Sequence, residues 1–264
     1  MNNRVSIIIP AHNEEKRIGK TLENYSKYLK EKKKKKIIGD FKILIVINNT
    51  TDKTEEVVKN YSKKYKEISY LNFRAGGKGF AVIEGFKEAL KEDYDLIGFV
   101  DADMSTSPDS FFDLIKKINS YSGIIASRYV KGAKVSPKQS FKRIIVSRIF
   151  NFLIRCLFFI NVKDTQCGAK LFKKNAIKSI IPDLIITKWA FDVDLLYQLK
   201  RKNFKVLEFP TVWGDKKYSK INFKRAGPLM ALAVIRLRIL NSPFKGFVKL
   251  YDKIPEFMKI HHSI

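Results

Sequence analysis

Residues 99–108, FVDADMSTSP, decide how this chain reads. An apolar run over 96–100 stops at Asp101, and a second carboxylate, Asp103, follows after one alanine. Ser107-Pro108 then opens a helix, with proline in the first turn, where its missing N–H leaves no hydrogen bond unmade. A short buried run, a polar turn and a helix start make one α/β unit. The same punctuation recurs on both sides. Residues 5–9 are a β-branched run ending at Pro10, and a polar helix follows over about 14–35, its KKKKK tail a solvated face. Residues 41–47, FKILIVI, end in NNTTDKT, where Asp52 is placed to cap the helix through VVKNYSKKY. A weaker strand over 68–73 leads into RAGGKG and a helix over about 80–91, and GIIAS at 123–127 is a fifth strand.

Strands alternating with helices specify an α/β fold, a mostly parallel, doubly wound sheet with flanking helices. In such sheets ligands bind beyond the carboxyl ends of the strands. Asn13, Asn48, Gly77 and Asp101 all fall at such ends. No G-x-G-x-x-G follows the first strand, which argues against a dinucleotide cofactor, and no P-loop pattern occurs either.

The chain has 264 residues, 45% of them hydrophobic, enough for a sizeable core. Lysine and arginine number 52 against 26 aspartate and glutamate, a net charge of +26. That field suits nucleic acid, anionic lipid headgroups or phosphorylated substrates, or is a lysine-rich solvated surface. Cys156 and Cys167 have no metal-ligand spacing and cannot support a disulfide framework, so a reducing compartment is expected. The apolar stretch near the N-terminus is too short for a signal peptide, and no uncharged run reaches the ~18 residues of a spanning helix.

The second half changes character. Residues 141–160, FKRIIVSRIFNFLIRCLFFI, place Arg148, Asn151 and Arg155 at helical spacing, with Ile145, Ile149, Phe152 and Phe159 toward the other side. This basic amphipathic helix either lies in a membrane interface or is buried against the sheet; the extent of apolar surface around a narrow polar stripe favours the interface. GPLMALAVIRLRIL at 227–240 has the same apolar-plus-arginine composition, and the tail from Ser242 repeats phenylalanine and lysine. The expected organisation is an α/β domain over 1–223, which includes the 141–160 helix, and a basic amphipathic segment over 224–264.

A D-A-D pair by itself can cap a helix or sit in a turn. At a strand end, two carboxylates one residue apart can share a divalent ion such as Mg²⁺ or Mn²⁺, whose shell is completed by substrate phosphates. The substrate group that fits is a diphosphate, with the metal neutralising the leaving phosphates.

In this order, VSIIIPAHNEEKRI, GGKGFAVIEGF, VDADMSTSP, IIASRY and DTQCGAKLF resemble the inverting, GT-A-type (Rossmann-like) glycosyltransferases of family 2. DTQCGAKLF (164–172) and WAFDVDLLY (189–197) are most similar to the dolichyl-phosphate β-glucosyltransferase branch, with dolichyl-phosphate mannose synthases nearby. The resemblance covers about 4–223. It implies that Pro10, Ala11, Asn13 and Glu14 hold the nucleoside, and that Asn48 stands where the family usually carries an aspartate contacting base or ribose. INNTTDKT here replaces D-D-G-S-x-D-G-T and costs a charge. It further implies that Lys78 approaches the donor, that Asp101 and Asp103 bind the metal, and that Arg128 lies near sugar and phosphates. Ser219 and Lys220 resemble a loop closing on the diphosphate. Lys170 joins Arg128 as a cation positioning an acceptor phosphate. Asp192 and Asp194 occupy the region where hydroxyl-glycosylating relatives carry a base; Asp192 alternatively caps the following helix.

The implied function is transfer of a hexose from a nucleotide sugar to dolichyl or polyprenyl phosphate, by a peripheral protein on the cytoplasmic face of a membrane. UDP-glucose is the favoured donor and GDP-mannose the alternative. A basic nucleic-acid binder explains the charge but not acidic residues at strand ends, which phosphates repel; nucleic acid is not an expected partner. A soluble polysaccharide-building transferase leaves the 141–160 helix without a partner.

Overall fold

The computed structural model describes residues 3–137, 140–187, 189–214 and 223–246. In chain order the elements are β1 (Val5–Ala11), α1 (Ile18–Lys34), β2 (Phe41–Asn48), α2 (Thr54–Lys64), β3 (Ile68–Phe73), α3 (Lys78–Leu90), β4 (Leu96–Val100), α4 (Pro108–Lys117) and β5 (Gly123–Ser127). There follow β6 (Lys134–Ser136), α5 (Phe141–Phe158), β7 (Ala169–Lys173), α6 (Lys174–Ile180), α7 (Phe191–Arg201), β8 (Val206–Pro210), β9 (Val212–Gly214) and α8 (Phe223–Leu240).

Seven strands form one sheet in the order β3-β2-β1-β4-β7-β5-β8, parallel except for β7, which runs antiparallel to both β4 and β5. The period-two rule of a strand sorts its side chains between two cores. Ile7 and Ile9 face one core with Ile43, Ile45 and Ile47, under α1, α2 and α4. Ile8 faces the other with Leu44 and Val46, against α3, α6 and α7. Both faces being covered explains why these strands are continuous apolar runs. Gly85 lets α3 approach the sheet; a Cβ there would lie 2.6 Å from Ile8. A second, two-stranded sheet pairs β6 with β9, and Trp213 of β9 bridges to Thr106 in the loop between β4 and α4.

The loops leaving the sheet turn sharply. Asn13, Asn49 and Met104, just past β1, β2 and β4, have φ of 54°, 44° and 61°. Asparagine tolerates this left-handed region better than most residues. The helix expected from Phe80 starts at Lys78, because Gly77, at φ 123°, turns the chain immediately before it.

α5 is a helix, as its period suggests, but its faces differ from the expected division. Asn151 does not share an exposed polar stripe with Arg148 and Arg155; it is buried, and its Oδ1 accepts from the backbone N–H and the hydroxyl of Thr165 at 2.9 and 2.8 Å. Together with Ile154 and Phe158 it fastens the inner side of α5 to the domain. The outer side carries Phe141, Ile145, Ile149, Phe152 and, just past the helix, Phe159, all exposed, with Arg148 and Arg155 among them. Spacing alone grouped a buried amide with two arginines because the three lie within one arc. Beside α5 lies α8, whose Ala233, Val234 and Leu237 join the α3-side core.

Candidate functional site

A cleft of about 1100 Å³ opens beyond the carboxyl ends of β1, β2 and β4. Its floor is built by register. β7 places Lys170 opposite Phe99, two residues before Asp101, and the Asp101 N–H donates to the Gly168 carbonyl at 3.0 Å. Gly168 is required by space: a Cβ there would lie 1.7 Å from Asp101 Oδ2. Asp103 follows on the turn, and its Oδ1 accepts from the Ser105 N–H at 2.9 Å. Both carboxylates face the cleft.

Lys78, the first residue of α3, reaches across to Asp101, with Nζ 2.8 Å from Oδ1 and 3.8 Å from Asp192 Oδ2. Lys170 Nζ donates to Asp192 Oδ1 at 2.6 Å and to the Cys167 carbonyl at 2.7 Å. Opposite charges therefore alternate along Asp101, Lys78, Asp192 and Lys170. Burial pushes the Asp101 carboxyl up, against the pull of Lys78 and with Asp103 adding to it. Burial works against the Lys78 ammonium, but Asp101 and Asp192 outweigh it and hold the group protonated. Burial likewise opposes ionisation of Asp192, and Lys170 and Lys78 overcome it, leaving its pKa below the usual range.

The expected nucleoside residues are brought to one place but do different work. Pro10 and Glu14 line the cleft, and Glu14 is held by a bidentate pair with Arg17 at 2.6 and 2.7 Å. Ala11 is buried and contributes its carbonyl. Asn13 organises the β2–α2 loop through Oδ1, which accepts from the Thr51 N–H at 2.8 Å. Asn48 lines the cleft, donating from Nδ2 to Ala11 O at 3.1 Å and accepting at Oδ1 from the Gly77 N–H at 3.0 Å. An aspartate cannot donate, so the asparagine in INNTTDKT joins β1, β2 and the GGKG loop in a way its acidic counterpart cannot.

Two expected cations are spent inside the protein. The Arg128 N–H, Nε and Nη2 all donate to Asp164, at 2.8–2.9 Å, and the Asp164 side chain is fully buried. The Arg128 guanidinium also lies 5.3 Å from the Tyr129 ring centre and 5.2 Å from that of Trp213. It borders the cleft as the wall of an ion pair. Lys170 is wholly buried and holds Asp192 rather than facing a ligand. Asp194 is buried in α7, accepting from the Ile185 N–H and Gln198 Nε2, which fits a structural role. Asp192 makes no side-chain cap of α7. Ser219 and Lys220 lie outside the described residues.

Residues that the sequence reading passed over are Asp164, Gly168 and Arg17, together with His12, whose ring Nδ1 lies 3.1 Å from Asn48 O. Asp164 and Gly168 stand in the quoted motif DTQCGAKLF, which was the available signal; their partners are 36 and 67 residues away and no periodicity reveals them.

The cleft continues past Arg143 and Ser147 into an apolar trough between α5 and α8, lined by Val146, Ile149, Phe150, Leu153, Met230 and Ala231. Tyr129 donates to the Ser147 hydroxyl at 2.7 Å where the two parts meet.

The model of glycosyl transferase family 2 matches residues 6–181. The chain belongs to glycosyl transferase family 2. Among curated members, the dolichyl-phosphate beta-glucosyltransferase of Dictyostelium discoideum is 32% identical over 246 residues, covering 90% of this chain and 74% of that protein. The Saccharomyces cerevisiae protein of the same name is 32% identical over 260 residues, covering 89% and 75%. Among solved structures, glucosyl-3-phosphoglycerate synthase from Mycobacterium tuberculosis, in complex with Mn²⁺, UDP and glucosyl-3-phosphoglycerate, superposes with a TM-score of 0.65 at 15% identity, over 90% of this chain and 79% of that one. Mannosyltransferase PcManGT from Pyrobaculum calidifontis, with GDP-Man and Mn²⁺, gives 0.58 at 14% identity, over 91% and 64%. This family 2 chain therefore has the GT-A-type α/β arrangement expected from its motifs.

Proposed function

We propose that the protein transfers glucose from UDP-glucose to a dolichyl or polyprenyl phosphate at a membrane surface. The observation that carries the reading is the continuity of one cleft, from a carboxylate pair at the strand ends to an apolar trough between two helices. A water-soluble acceptor has no use for that trough. Glucose is favoured over mannose by the names of the relatives matched over nine-tenths of the chain.

The donor set suits a divalent ion of the Mg²⁺ or Mn²⁺ kind. Among the described residues no group of three or more histidine, cysteine or acidic side chains assembles. Such ions are commonly held by one or two carboxylates plus substrate phosphates and water, and Asp101 and Asp103 supply the carboxylates. When bound, the ion offsets charge developing on the leaving diphosphate.

The chain's own residues do the rest. Gly77, Lys78 and Gly79, at the N-terminus of α3, line the cleft, and a helix N-terminus favours phosphate. Lys78 adds a protonated ammonium beside it. Arg143 and Ser147, one turn apart on α5, flank the junction of polar cleft and apolar trough, a place for the acceptor headgroup with its isoprenoid lying in the trough. A phosphate monoester, with its second pKa near ~6, is already mostly a dianion at neutral pH and needs positioning rather than a general base. Its direct attack on the anomeric carbon inverts that centre, giving a β-linked product from an α-linked donor.

No helix among the described residues is long and apolar enough to cross a membrane. The exposed apolar stripe of α5 supports contact with a bilayer surface instead. Free thiols at Cys156 and Cys167 fit the cytoplasmic, reducing side. The deciding experiment supplies polyprenyl phosphate with labelled UDP-glucose or GDP-mannose and Mg²⁺ or Mn²⁺, and extracts the lipid phase. Lipid-borne glucose is expected. Label entering lipid only from GDP-mannose, or only water-soluble product, overturns the reading.

A further inference from the structure

The alternation of charge along the cleft floor has a directional feature. Asp101 is at once the first carboxylate of the metal pair and the partner of Lys78, at 2.8 Å. A divalent ion on Asp101 and the Lys78 ammonium are like charges competing for one carboxylate. A second carboxylate stands on the other side of the ammonium: Asp192 Oδ2, at 3.8 Å. Asp192 cannot follow Lys78 toward Asp101, because Lys170, wholly buried and also tied to the Cys167 carbonyl, holds its other oxygen at 2.6 Å. Closing the gap from Lys78 to a hydrogen bond of ~2.8 Å takes only a side-chain movement from the first turn of α3.

Resting on the reading of Asp101 and Asp103 as metal ligands, we infer that Lys78 is an internal cation that occupies Asp101 until a divalent ion arrives with a nucleoside diphosphate, and that Asp192, fixed by Lys170, is the seat to which the ammonium then moves. Asp192 and Lys170 are thus positioning residues; neither touches the reacting atoms. The arrangement keeps the two carboxylates paired in the absence of substrate. It also couples metal affinity to the nucleotide, whose phosphates give the displaced ammonium a further partner.

Mn²⁺ binding, read from the electron paramagnetic resonance signal of the unbound ion, tests this without turnover. Wild-type protein is expected to bind Mn²⁺ weakly alone and at least about tenfold more tightly with UDP. Lys78→Met is expected to raise affinity for Mn²⁺ alone by roughly tenfold, the scale of one neighbouring charge. Asp192→Asn should weaken Mn²⁺ binding, and that loss should disappear in the Lys78→Met background, because the seat matters only when there is an ammonium to receive. This double-mutant comparison separates a seat from a mere negative charge. Asp192→Asn strands the buried Lys170 ammonium; if it unfolds by circular dichroism, Lys170→Met/Asp192→Asn takes its place in both backgrounds.

Failure of wild-type protein to bind Mn²⁺ even with UDP overturns the metal reading, and this proposal with it. Mn²⁺ bound with UDP, but Lys78→Met leaving the nucleotide-free affinity unchanged, overturns the Lys78 assignment alone. An Asp192→Asn loss of equal size in both backgrounds overturns the seat.

Discussion

At the scale of single residues, carboxylates that line the cleft differ from carboxylates that hold the protein together. Asp101 and Asp103 line the cleft; the Asp101 N–H donates to the Gly168 carbonyl, and the Asp103 carboxylate accepts from the Ser105 N–H. Asp101→Asn and Asp103→Asn are each expected to lower transfer by about 10²–10³, the usual effect of removing one electrostatic contact made to the transition state. Thermal melting should stay close to wild type, and near-normal turnover in both variants would remove the metal assignment. Asp194 is the contrasting case. Burial, partly opposed by hydrogen bonds from the Ile185 N–H and Gln198, raises its pKa to about 6. Its folded pKa exceeds its unfolded one, so the folded state binds the extra proton. The stabilisation this brings is complete below pH ~4 and is lost as pH rises through about 6. Relative to Asp194→Asn, wild-type melting temperature should therefore fall between those limits and level off above them. A constant difference across that range would mean that folding does not raise the pKa of this group.

At the scale of elements, α5 joins two environments. Its inner side is fastened by Asn151, Ile154 and Phe158, and its outer side presents an apolar stripe that nothing among the described residues covers. Phe152 and Phe159 are 64% and 71% exposed and do not line the cleft. Fully burying a side chain of this kind contributes about 1.5–3 kcal/mol. Phe152→Asp with Phe159→Asp should reduce co-sedimentation with anionic vesicles by more than tenfold while leaving UDP binding intact. Arg148→Glu with Arg155→Glu should do the same through charge, each arginine near such a surface being worth about 1 kcal/mol. Undiminished sedimentation of both pairs would move the membrane contact away from this helix.

At the scale of the whole molecule, the proposed acceptor is already ionised before it meets the donor, so on that proposal the pH dependence of transfer should belong to the acceptor. With saturating Mn²⁺ and donor and limiting polyprenyl phosphate, single-turnover rates should fall below pH ~6 as the acceptor dianion is protonated. Asp192→Asn should keep that acidic limb and stay within about tenfold of wild type, whereas Asp101→Asn should not. An Asp192→Asn variant that is folded, binds donor and is as inactive as Asp101→Asn would require a general base, and hence a hydroxyl acceptor.

The alternation of the first five strands with helices, the cleft-bearing edge of the sheet and the place of Asp101 and Asp103 just past β4 were legible in the amino-acid sequence, whereas β6 to β9 and the antiparallel course of β7 were not. These rest on short-range chemistry: apolar runs of strand length, turn residues at fixed offsets, and a proline that opens a helix. Only the tertiary structure decided that Arg128 pairs with Asp164, that Lys170 is buried against Asp192, that Asn48 joins two strands to the GGKG loop, and that Asn151 turns inward while the apolar face of α5 turns outward. The physical reason is the same in each case. A cation or an amide reads identically in sequence whether it meets a ligand, solvent or a buried partner. Which of these it meets depends on partners tens of residues away, brought within hydrogen-bond distance by the register of β7 and the packing of helices on the sheet.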